Sequence, residues 1–401
     1  MVDYVSRVAI RPRTAEVERA WTARDLDWVL VAAVAALVGI GLWAISGITR
    51  YAVEGDPNYY VVRQGVYAAF GVIAFGVALF VDPQLYRRYK QWVYGLMVGG
   101  MLFVIMVGAA ARGSRRWIDL GFFRFQPSEF GKLLFILFFA AFLADRWKRI
   151  GEWRTTGEAL GLALAPILLV FVQPDIGTAL VYTAALGGVL FVAGTRWTHL
   201  AVLGGAAVLM IASVLWLLPA GGVDVLQPYQ SDRLTAFLHP ERDVQGTSYN
   251  LNQSKITAGA GGLNGRGVSG ATQTRFGLLP EPATDFAFAA YSEQRGFTGA
   301  ALLLGLYLLV VWRALRIVTV ARDAFSAIVA GGIAVAFLFQ VFVNVGMTIG
   351  LAPITGIPLP FVSVGGSAMI TNLAAMGVLL AIGARGRARS KPSRRRERVG
   401  Y

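Results

Sequence analysis

The stretch WVLVAAVAALVGIGLWAISGI, residues 28–48, runs through five turns of a potential helix without one charged side chain. A helix needs about 20 apolar residues to cross the ~30 Å hydrocarbon core of a bilayer. This stretch therefore predicts a transmembrane helix. Nine further runs share its character, and two short ones, 159–172 and 297–312, could extend into neighbouring polar residues or lie at a depth lined by protein. The nine are 60–81, 92–111, 130–144, 159–172, 176–194, 200–218, 297–312, 324–351 and 364–384.

The composition of the whole chain agrees with this prediction. The 401 residues are 56% hydrophobic, with 47 glycines and a mean hydropathy of +0.58, which places the chain among all-α integral membrane proteins. The absence of cysteine excludes disulfides and thiolate chemistry. The two histidines, His199 and His239, are too far apart in sequence to show a metal-ligand spacing.

The basic residues predict the orientation in the membrane. With ten spans both termini lie on one side, and that side carries 24 of the 37 lysines and arginines. Because cytoplasmic loops are enriched in these residues, we expect both termini in the cytoplasm. Residues 1–27 lack the apolar core of a cleaved signal peptide. The basic tail favours contact with anionic lipid, and nucleic-acid binding is disfavoured because no folded basic domain accompanies it.

Five segments follow from this topology. Residues 1–27 form a cytoplasmic segment, 28–218 contain helices one to seven, 219–284 form a large extracytoplasmic loop, 285–384 contain helices eight to ten, and 385–401 form the tail. Long loops of mixed composition are usually functional or disordered. No internal repeat is evident, which disfavours an inverted-repeat transporter.

Charged residues near the predicted outer face are the candidates for chemistry. Glu129 and Lys132 lie three residues apart and would share a helix face. They could form a mutual ion pair or separate cation and anion sites, because charges within a span face the bundle interior or water. Asp175 lies in a tight turn between two spans, where it could cap the next helix.

Asp285 follows Pro280 and Pro282, just before an apolar run. Thr284 as a helix N-cap with Asp285 in the first turn is one interpretation. A carboxylate at the membrane–water boundary, backed by apolar residues, could instead act as a general base. Cations on the same face could then bind an anionic headgroup. The residues alone leave both interpretations open.

Five motifs in order resemble the SEDS family of membrane peptidoglycan glycosyltransferases, its RodA branch more than FtsW. They are GSRRWIDLGFFRFQPSEFGK (113–132), QPDIGTAL (173–180), FLHPERDVQGTSYNLNQSKITAGAGGLNGRG (237–267), LLPEPATDFAFA (278–289) and NVGMTIGLAPITGIPLPFVSVGGSAMITNL (344–373). The resemblance covers nearly all of the membrane portion. It implies a ten-helix fold with a large outer loop between helices seven and eight.

The resemblance also implies an activity, the polymerisation of lipid II into glycan strands with release of undecaprenyl diphosphate, in cell-wall elongation. Its essential acidic residue falls on Asp285, as general base. The cations that bind the diphosphate would be Lys132, either Arg115 or Arg116, and Arg233. Asp175 would be a supporting residue of the site. A divalent cation, Mg²⁺ or Mn²⁺, could be held by Glu129, and no organic cofactor is implied. The family usually has His where this chain has Ala283, which affects the surroundings of the base.

The implied partner is a class B penicillin-binding protein, which should contact helices eight and nine and the outer loop. The small residues of 331–346 would suit close helix approach, either to this partner or within the bundle. Two other functions compete with the enzyme: a lipid II flippase, and a scaffold that only positions the transpeptidase. Ionisable residues concentrated at the outer face, without a polar pathway across the membrane, favour chemistry there.

Overall fold

The structure, a computed structural model, describes residues 20–111, 114–119, 121, 123–213 and 247–390, together with the single positions 219 and 237. The described part is almost entirely helical. Its helices are α1 Trp28–Ile48, α2 Tyr59–Phe80, α3 Pro83–Arg88, α4 Lys90–Val107, α5 Pro127–Asp145, α6 Trp153–Val172, α7 Ile176–Ala193, α8 Trp197–Ala212, α9 Thr247–Ala260, α10 Gly267–Gly270, α11 Thr272–Arg275, α12 Ala287–Val320, α13 Ala324–Ile349 and α14 Gly366–Ser390.

Nine of the described helices are long and apolar enough to cross a membrane: α1, α2, α4, α5, α6, α7, α12, α13 and α14. The seventh predicted span appears as the shorter apolar helix α8, and residues 214–218, which complete that prediction, lie outside the described residues. The protein is thus a multi-pass membrane protein. Both short predicted runs extend into neighbouring residues, to 153–172 and to 287–320, which was one of the two possibilities.

Local sequence sets several helix ends. Asp27 caps α1 by accepting from the backbone N–H of Leu30, and Asp323 caps α13 through Ser326. Pro127 occupies the first turn of α5, where its missing N–H costs nothing. At the far end of α13, Gly350 adopts a left-handed conformation with φ of +81° and closes the last turn.

The centre of the bundle is made of α5, α7, α13 and α14. In α14 and α5, 94% and 89% of the apolar stretch is buried, whereas in α4 the share is only 17%. The outward faces of the peripheral helices are apolar, with Trp92, Phe103 and Met106 of α4 all more than half exposed. Such faces suit contact with lipid rather than water.

Successive helices alternate in direction, so their connections form two ends. The loop end comprises the connections 49–58, 108–126, 173–175, 247–286 and 350–365, and the terminal end carries residues 20–27 and 390. At the terminal end, Asp27 of α1 is almost fully buried and pairs with Arg313 of α12 at 2.6 Å and Arg387 of α14 at 3.4 Å. These ion pairs join three helices distant in sequence.

A small sheet lies at the loop end, where the sequence predicted helix up to residue 111. α4 ends at Val107, and the antiparallel strands β1 Ala109–Ala111, β2 Ser114–Asp119 and β3 Arg124–Phe125 follow in the order β1-β2-β3. The prediction was wrong here because Ala109–Ala111, although apolar, pair with β2 instead of continuing the helix.

α12 is broken at Gly296, which has φ of +68°. A Cβ at this position would lie 2.3 Å from the backbone nitrogen of Gly265, so only glycine fits. The break exposes backbone groups that pair with the preceding segment: Phe297 N donates to Gly262 O at 2.8 Å, and Thr298 N donates to Leu263 O at 3.1 Å. The segment before α12 is therefore locked against the helix.

Candidate functional site

Asp285 lies at the loop end, in the turn that precedes α12, and is partly exposed. The predicted capping by Thr284 is wrong: α12 begins at Ala287, its N-cap is Phe286, and no side chain caps it. The Thr284 hydroxyl instead donates to Glu281 Oε2 at 3.1 Å within the turn. Because Asp285 precedes the helix and is not sealed in packing, it remains a candidate base.

The backbone of this turn is held from three sides. Asn344 of α13 donates its side-chain N–H groups to the carbonyls of Asp285 at 3.0 Å and Ile357 at 2.8 Å. The Ser363 hydroxyl donates to the carbonyl of Thr284 at 2.5 Å, and the Val364 N–H donates to the carbonyl of Ala283 at 2.8 Å. Fixed carbonyls fix the direction of the side chains between them, so the position of Asp285 is set by α13 and by the segment 357–365.

The segment 357–365 is itself held by Gln64 of α2, which is fully buried. Gln64 donates to the carbonyl of Ser363 at 3.1 Å and accepts from the N–H of Gly365 at 3.2 Å. Buried amide groups in an apolar helix are costly unless their hydrogen bonds are made. Gln64 therefore joins α2 to the turn that carries Asp285, through residues some 300 positions away.

Glu129 and Lys132 form the mutual ion pair that their spacing allowed. Their charged atoms are 2.7 Å apart, and the side chains are only 5% and 7% exposed. Lys132 also donates to the Gln340 side-chain oxygen of α13 at 3.2 Å. Because each charge is matched by the other, burial of the pair is tolerated where a lone charge would be expensive.

A small cavity adjoins Lys132, bordered by Gln340, Thr371 and Asn372 among apolar side chains. It offers about 20 Å³ to the centre of a water molecule, enough for one water and far too little for a saccharide. The Thr371 hydroxyl is buried and has no hydrogen-bond partner among the described residues, which suits such a water.

Asp175 performs the capping role that the sequence allowed, accepting from Thr178 N at 3.0 Å at the start of α7. Its second oxygen accepts from the Gln126 amide at 3.0 Å and lies 3.6 Å from the Arg116 guanidinium. Arg116, on β2, keeps 31% of its side chain exposed. Asp175 thus ties α7, the start of α5 and the small sheet together.

α13 brings the ion pair and the Asp285 turn near each other. Gln340 contacts Lys132, and Asn344 contacts the Asp285 backbone. These two residues are four apart, so they share one helix face and are separated by about 6 Å along the axis. The structure therefore joins Glu129, Lys132 and Asp285 into one region at the loop end. Arg233 and the side chain of Arg115 lie outside the described residues.

The described residues do not fit a divalent cation well. They contain no group of three or more His, Cys, Asp or Glu side chains that could hold one. Glu129, the predicted ligand, has its Oε2 atom 2.7 Å from the Lys132 ammonium, and a second cation there would meet electrostatic repulsion. No chemical step is therefore assigned to a metal.

Sequence reasoning missed Gln64, Gln340, Asn344 and Glu293. Glu293 of α12 is fully buried and accepts from the N–H groups of Gln273 at 2.8 Å and Thr274 at 3.0 Å. Gln64, Gln340 and Asn344 are polar side chains inside apolar helical runs, and such residues usually face the interior for a reason. Glu293 lies in the polar stretch SEQR before the apolar run of α12. A search for polar side chains in apolar runs would have found the first three of these residues, but not their partners.

The chain is similar to known proteins over most of its length. Residues 24–388 match the family model described as cell cycle protein, FtsW, RodA and SpoVE. The chain is similar to peptidoglycan glycosyltransferase MrdB of Escherichia coli (36% identity, over 86% of this chain and 91% of the relative). It is also similar to stage V sporulation protein E of Bacillus subtilis (37%, over 90% and 96%). A solved chain from a peptidoglycan synthase complex that coordinates polymerization and crosslinking superposes with a TM-score of 0.75, at 30% identity over 90% of this chain and 98% of that one.

Proposed function

Since the chain belongs to the FtsW, RodA and SpoVE family, we infer that it is a peptidoglycan glycosyltransferase, and we propose that it polymerises lipid II with Asp285 as the base. The single observation that carries the role of Asp285 is its setting. It is a partly exposed carboxylate at the loop end, in a turn fixed by hydrogen bonds from Asn344, Ser363 and Val364. A base must be both reachable and held in place.

In the proposed reaction the Asp285 carboxylate takes the proton from the 4-hydroxyl of the acceptor sugar. The resulting oxygen attacks the anomeric carbon of the lipid-linked donor strand from the side opposite the diphosphate. The bond from this carbon to the diphosphate oxygen breaks, and its electrons leave with undecaprenyl diphosphate. The configuration at the anomeric carbon is inverted, and the proton remains on Asp285 until solvent removes it.

The leaving diphosphate needs positive charge nearby. Arg116 is a described cation on the sheet beside α5 and α7, and its side chain is 31% exposed although it lies 3.6 Å from Asp175. We propose that Arg116 meets the diphosphate, with Arg115 and Arg233 as further candidates. Lys132 is nearly enclosed and paired with Glu129, so in this proposal it holds α5 against α13 rather than contacting phosphate.

The distribution of basic residues supports a position of the site on the outer face of the membrane. The terminal end carries most of the lysines and arginines, so the positive-inside rule supports cytoplasmic termini in the bacterial cell membrane and an outer face at the loop end. Asp285 would then lie on the side where glycan strands are built. Three short segments within the quoted motifs, WIDLG, HPERD and QSKI, resemble the RodA branch of the family. They support a role in elongation and shape maintenance.

The partner that we propose is a class B penicillin-binding protein, in line with the solved complex that couples polymerization to crosslinking. The glycines of 331–346 do not provide its contact surface, because Gly331 and Gly332 are packed against Val192 and Val189 of α7. The exposed side chains of α13, Leu338 at 43% and Phe342 at 59%, are better suited to receive an apolar anchor helix.

The test is polymerisation of labelled lipid II by the purified protein, with and without the transpeptidase. Asp285→Asn keeps the size of the side chain but cannot accept the proton, and we expect turnover to fall by about 10²–10⁴-fold. Glu281→Gln, an exposed carboxylate in the same turn, is the matched control and should stay within a few-fold of the parent protein.

Full polymer yield from folded Asp285→Asn would end the assignment of the base. Lipid II transfer across liposomes by the parent protein without polymer would favour a flippase. Polymer formed only by the partner would favour a scaffold.

A further inference from the structure

The loop end of α1 lies close against α12. A Cβ at Gly47 of α1 would lie 2.5 Å from the Gln294 side-chain oxygen and 3.0 Å from Val268. With glycine at this position the two helices approach closely, and a larger residue would require the Gln294 side chain to move. Trp43 lies one turn before Gly47, so this approach places the indole beside Arg295, the residue just before the break at Gly296.

Two arginines stack on aromatic rings at this junction. The Arg295 guanidinium carbon lies 3.4 Å from the Trp43 ring centre, and that of Arg275 lies 5.2 Å from the Tyr51 ring centre. Both rings are about half exposed, at 50% and 51%. Stacking holds a guanidinium in place while leaving its edge N–H groups for another ligand. We call Trp43, Tyr51, Arg275 and Arg295 the arginine–aromatic cluster.

No described carboxylate pairs with either arginine. Arg275 donates once to the carbonyl of Ser269 at 3.3 Å, and Arg295 makes no hydrogen bond within the part of the chain that the structure describes. The acid nearest in sequence, Glu293, directs its oxygens to Gln273 and Thr274. Each guanidinium carries five N–H donors, so the cluster presents several donors and a double positive charge without an internal acceptor.

The cluster lies at the boundary of the apolar span. The break at Gly296 separates Arg295 from the apolar run that begins at Phe297, and Trp43 lies in the second-to-last turn of α1. Trp, Tyr and Arg at this depth face the lipid headgroups. Arginine binds phosphate through two parallel hydrogen bonds. Phosphate is therefore the acceptor that both the chemistry and the position favour.

The surface below Trp43 suits an acyl chain. Gly39 and Ala35, one and two turns further into the membrane, lie on the same face of α1 as Trp43 and are exposed. A Cβ at Gly39 would meet no atom within 4 Å, so the helix presents a shallow apolar track there. Beyond the break, Phe297 is 66% exposed. A headgroup with tails, rather than a free ion, matches a cationic cluster above an apolar track.

We propose that the arginine–aromatic cluster binds the headgroup phosphate of an anionic glycerophospholipid, whose acyl chain lies along the outward face of α1. This site is separate from Asp285 and needs no catalytic turnover. The bound lipid would secure the α1–α12 junction, and with it the start of the helix that follows the Asp285 turn.

The test uses the purified full chain in neutral detergent with photoactivatable phosphatidylglycerol or phosphatidylcholine of the same chain length. Crosslinked peptides are mapped by mass spectrometry. We expect peptides containing residues 43–51 or 275–297 to be labelled by phosphatidylglycerol at least fivefold more than by phosphatidylcholine, the factor expected for one basic residue near a headgroup. Arg295→Gln and Arg275→Gln should each lower this labelling severalfold.

Arg316→Gln is the matched control, since Arg316 stacks on Trp312 at 5.4 Å near the terminal end of the same helix. It should leave labelling at the cluster unchanged. Equal labelling by the two lipids, or an equal loss in Arg316→Gln, would overturn the proposal. Displacement of the phosphatidylglycerol probe by millimolar inorganic phosphate would also overturn the proposal, because it would indicate a site for free anions. Displacement by lipid II but not by phosphatidylglycerol would assign the cluster to the substrate instead.

Discussion

Replacing Asn344 with leucine tests whether the Asp285 turn is held for catalysis. Asn344 is fully buried and donates at 3.0 Å and 2.8 Å to the carbonyls of Asp285 and Ile357. Leucine has a similar volume and no donor, so both hydrogen bonds disappear while the packing is largely kept. At about 1 kcal/mol for each bond, the turn loses about 2 kcal/mol of restraint.

Two further effects change the free energy of the Asn344→Leu variant in opposite directions. The Ile357 carbonyl is left unsatisfied in a buried place, which costs about 1–3 kcal/mol. The Asn344 side-chain oxygen, which is buried and has no partner in the described part of the chain, is also removed, and this stabilises the variant by a similar amount. The net expectation therefore stays near 2 kcal/mol. If all of it is lost in the transition state, kcat falls about 30-fold.

The assay is the initial rate of fluorescent lipid II polymerisation by purified protein, with kcat and KM separated and the melting temperature measured in the same detergent. Thr348→Val is the control: Thr348 lies one turn further along α13, is fully buried, and donates only to the carbonyl of Asn344. We expect kcat to fall for Asn344→Leu alone, with KM little changed. Equal kcat in the two variants, with equal loss of melting temperature, would refute the positioning role and leave only a structural one.

Three further predictions concern the framework of the site. Lys132→Met should destabilise the protein by about 3–5 kcal/mol because it leaves Glu129 charged and buried. The double variant Lys132→Met, Glu129→Gln should recover most of the lost melting temperature. A single variant as stable as the double variant would contradict this prediction. Glu293→Gln should loosen the segment 267–279, seen as faster proteolysis there, because one acceptor oxygen that receives backbone N–H groups becomes a donor. Gly41→Ala should lower the melting temperature markedly, since its Cβ would lie 2.1 Å from the backbone oxygen of Phe361; an unchanged value would show that α1 can shift freely.

The sequence predicted what depends on neighbours within a few turns of helix. Long uncharged runs predicted the membrane spans, because no other structure satisfies the backbone in hydrocarbon as simply as a helix. The three-residue spacing of Glu129 and Lys132 allowed their ion pair, and the position of Asp175 before an apolar run allowed its cap. Five motifs in order indicated the family, which the family model confirmed.

Local reasoning failed where a distant part of the chain competes for the same groups. Thr284 has the residue type of an N-cap, but its carbonyl is bound by Ser363, and its neighbour Asp285 is held by Asn344. The turn is therefore pulled out of the helix that local propensity would begin there. The same holds for Ala109–Ala111, whose pairing with β2 ends α4 early.

The sequence by itself determined that the chain is a helical membrane protein, and its resemblance to the family indicated Asp285 as the candidate base. Only the tertiary structure decided what holds that carboxylate: Gln64, Asn344 and Ser363 come from three segments up to about 300 residues apart and meet at one end of the bundle. The physical reason is that helix periodicity shows which residues share a face. Which faces meet depends on the packing of all helices at once, through close approaches such as that of Gly41 to Phe361.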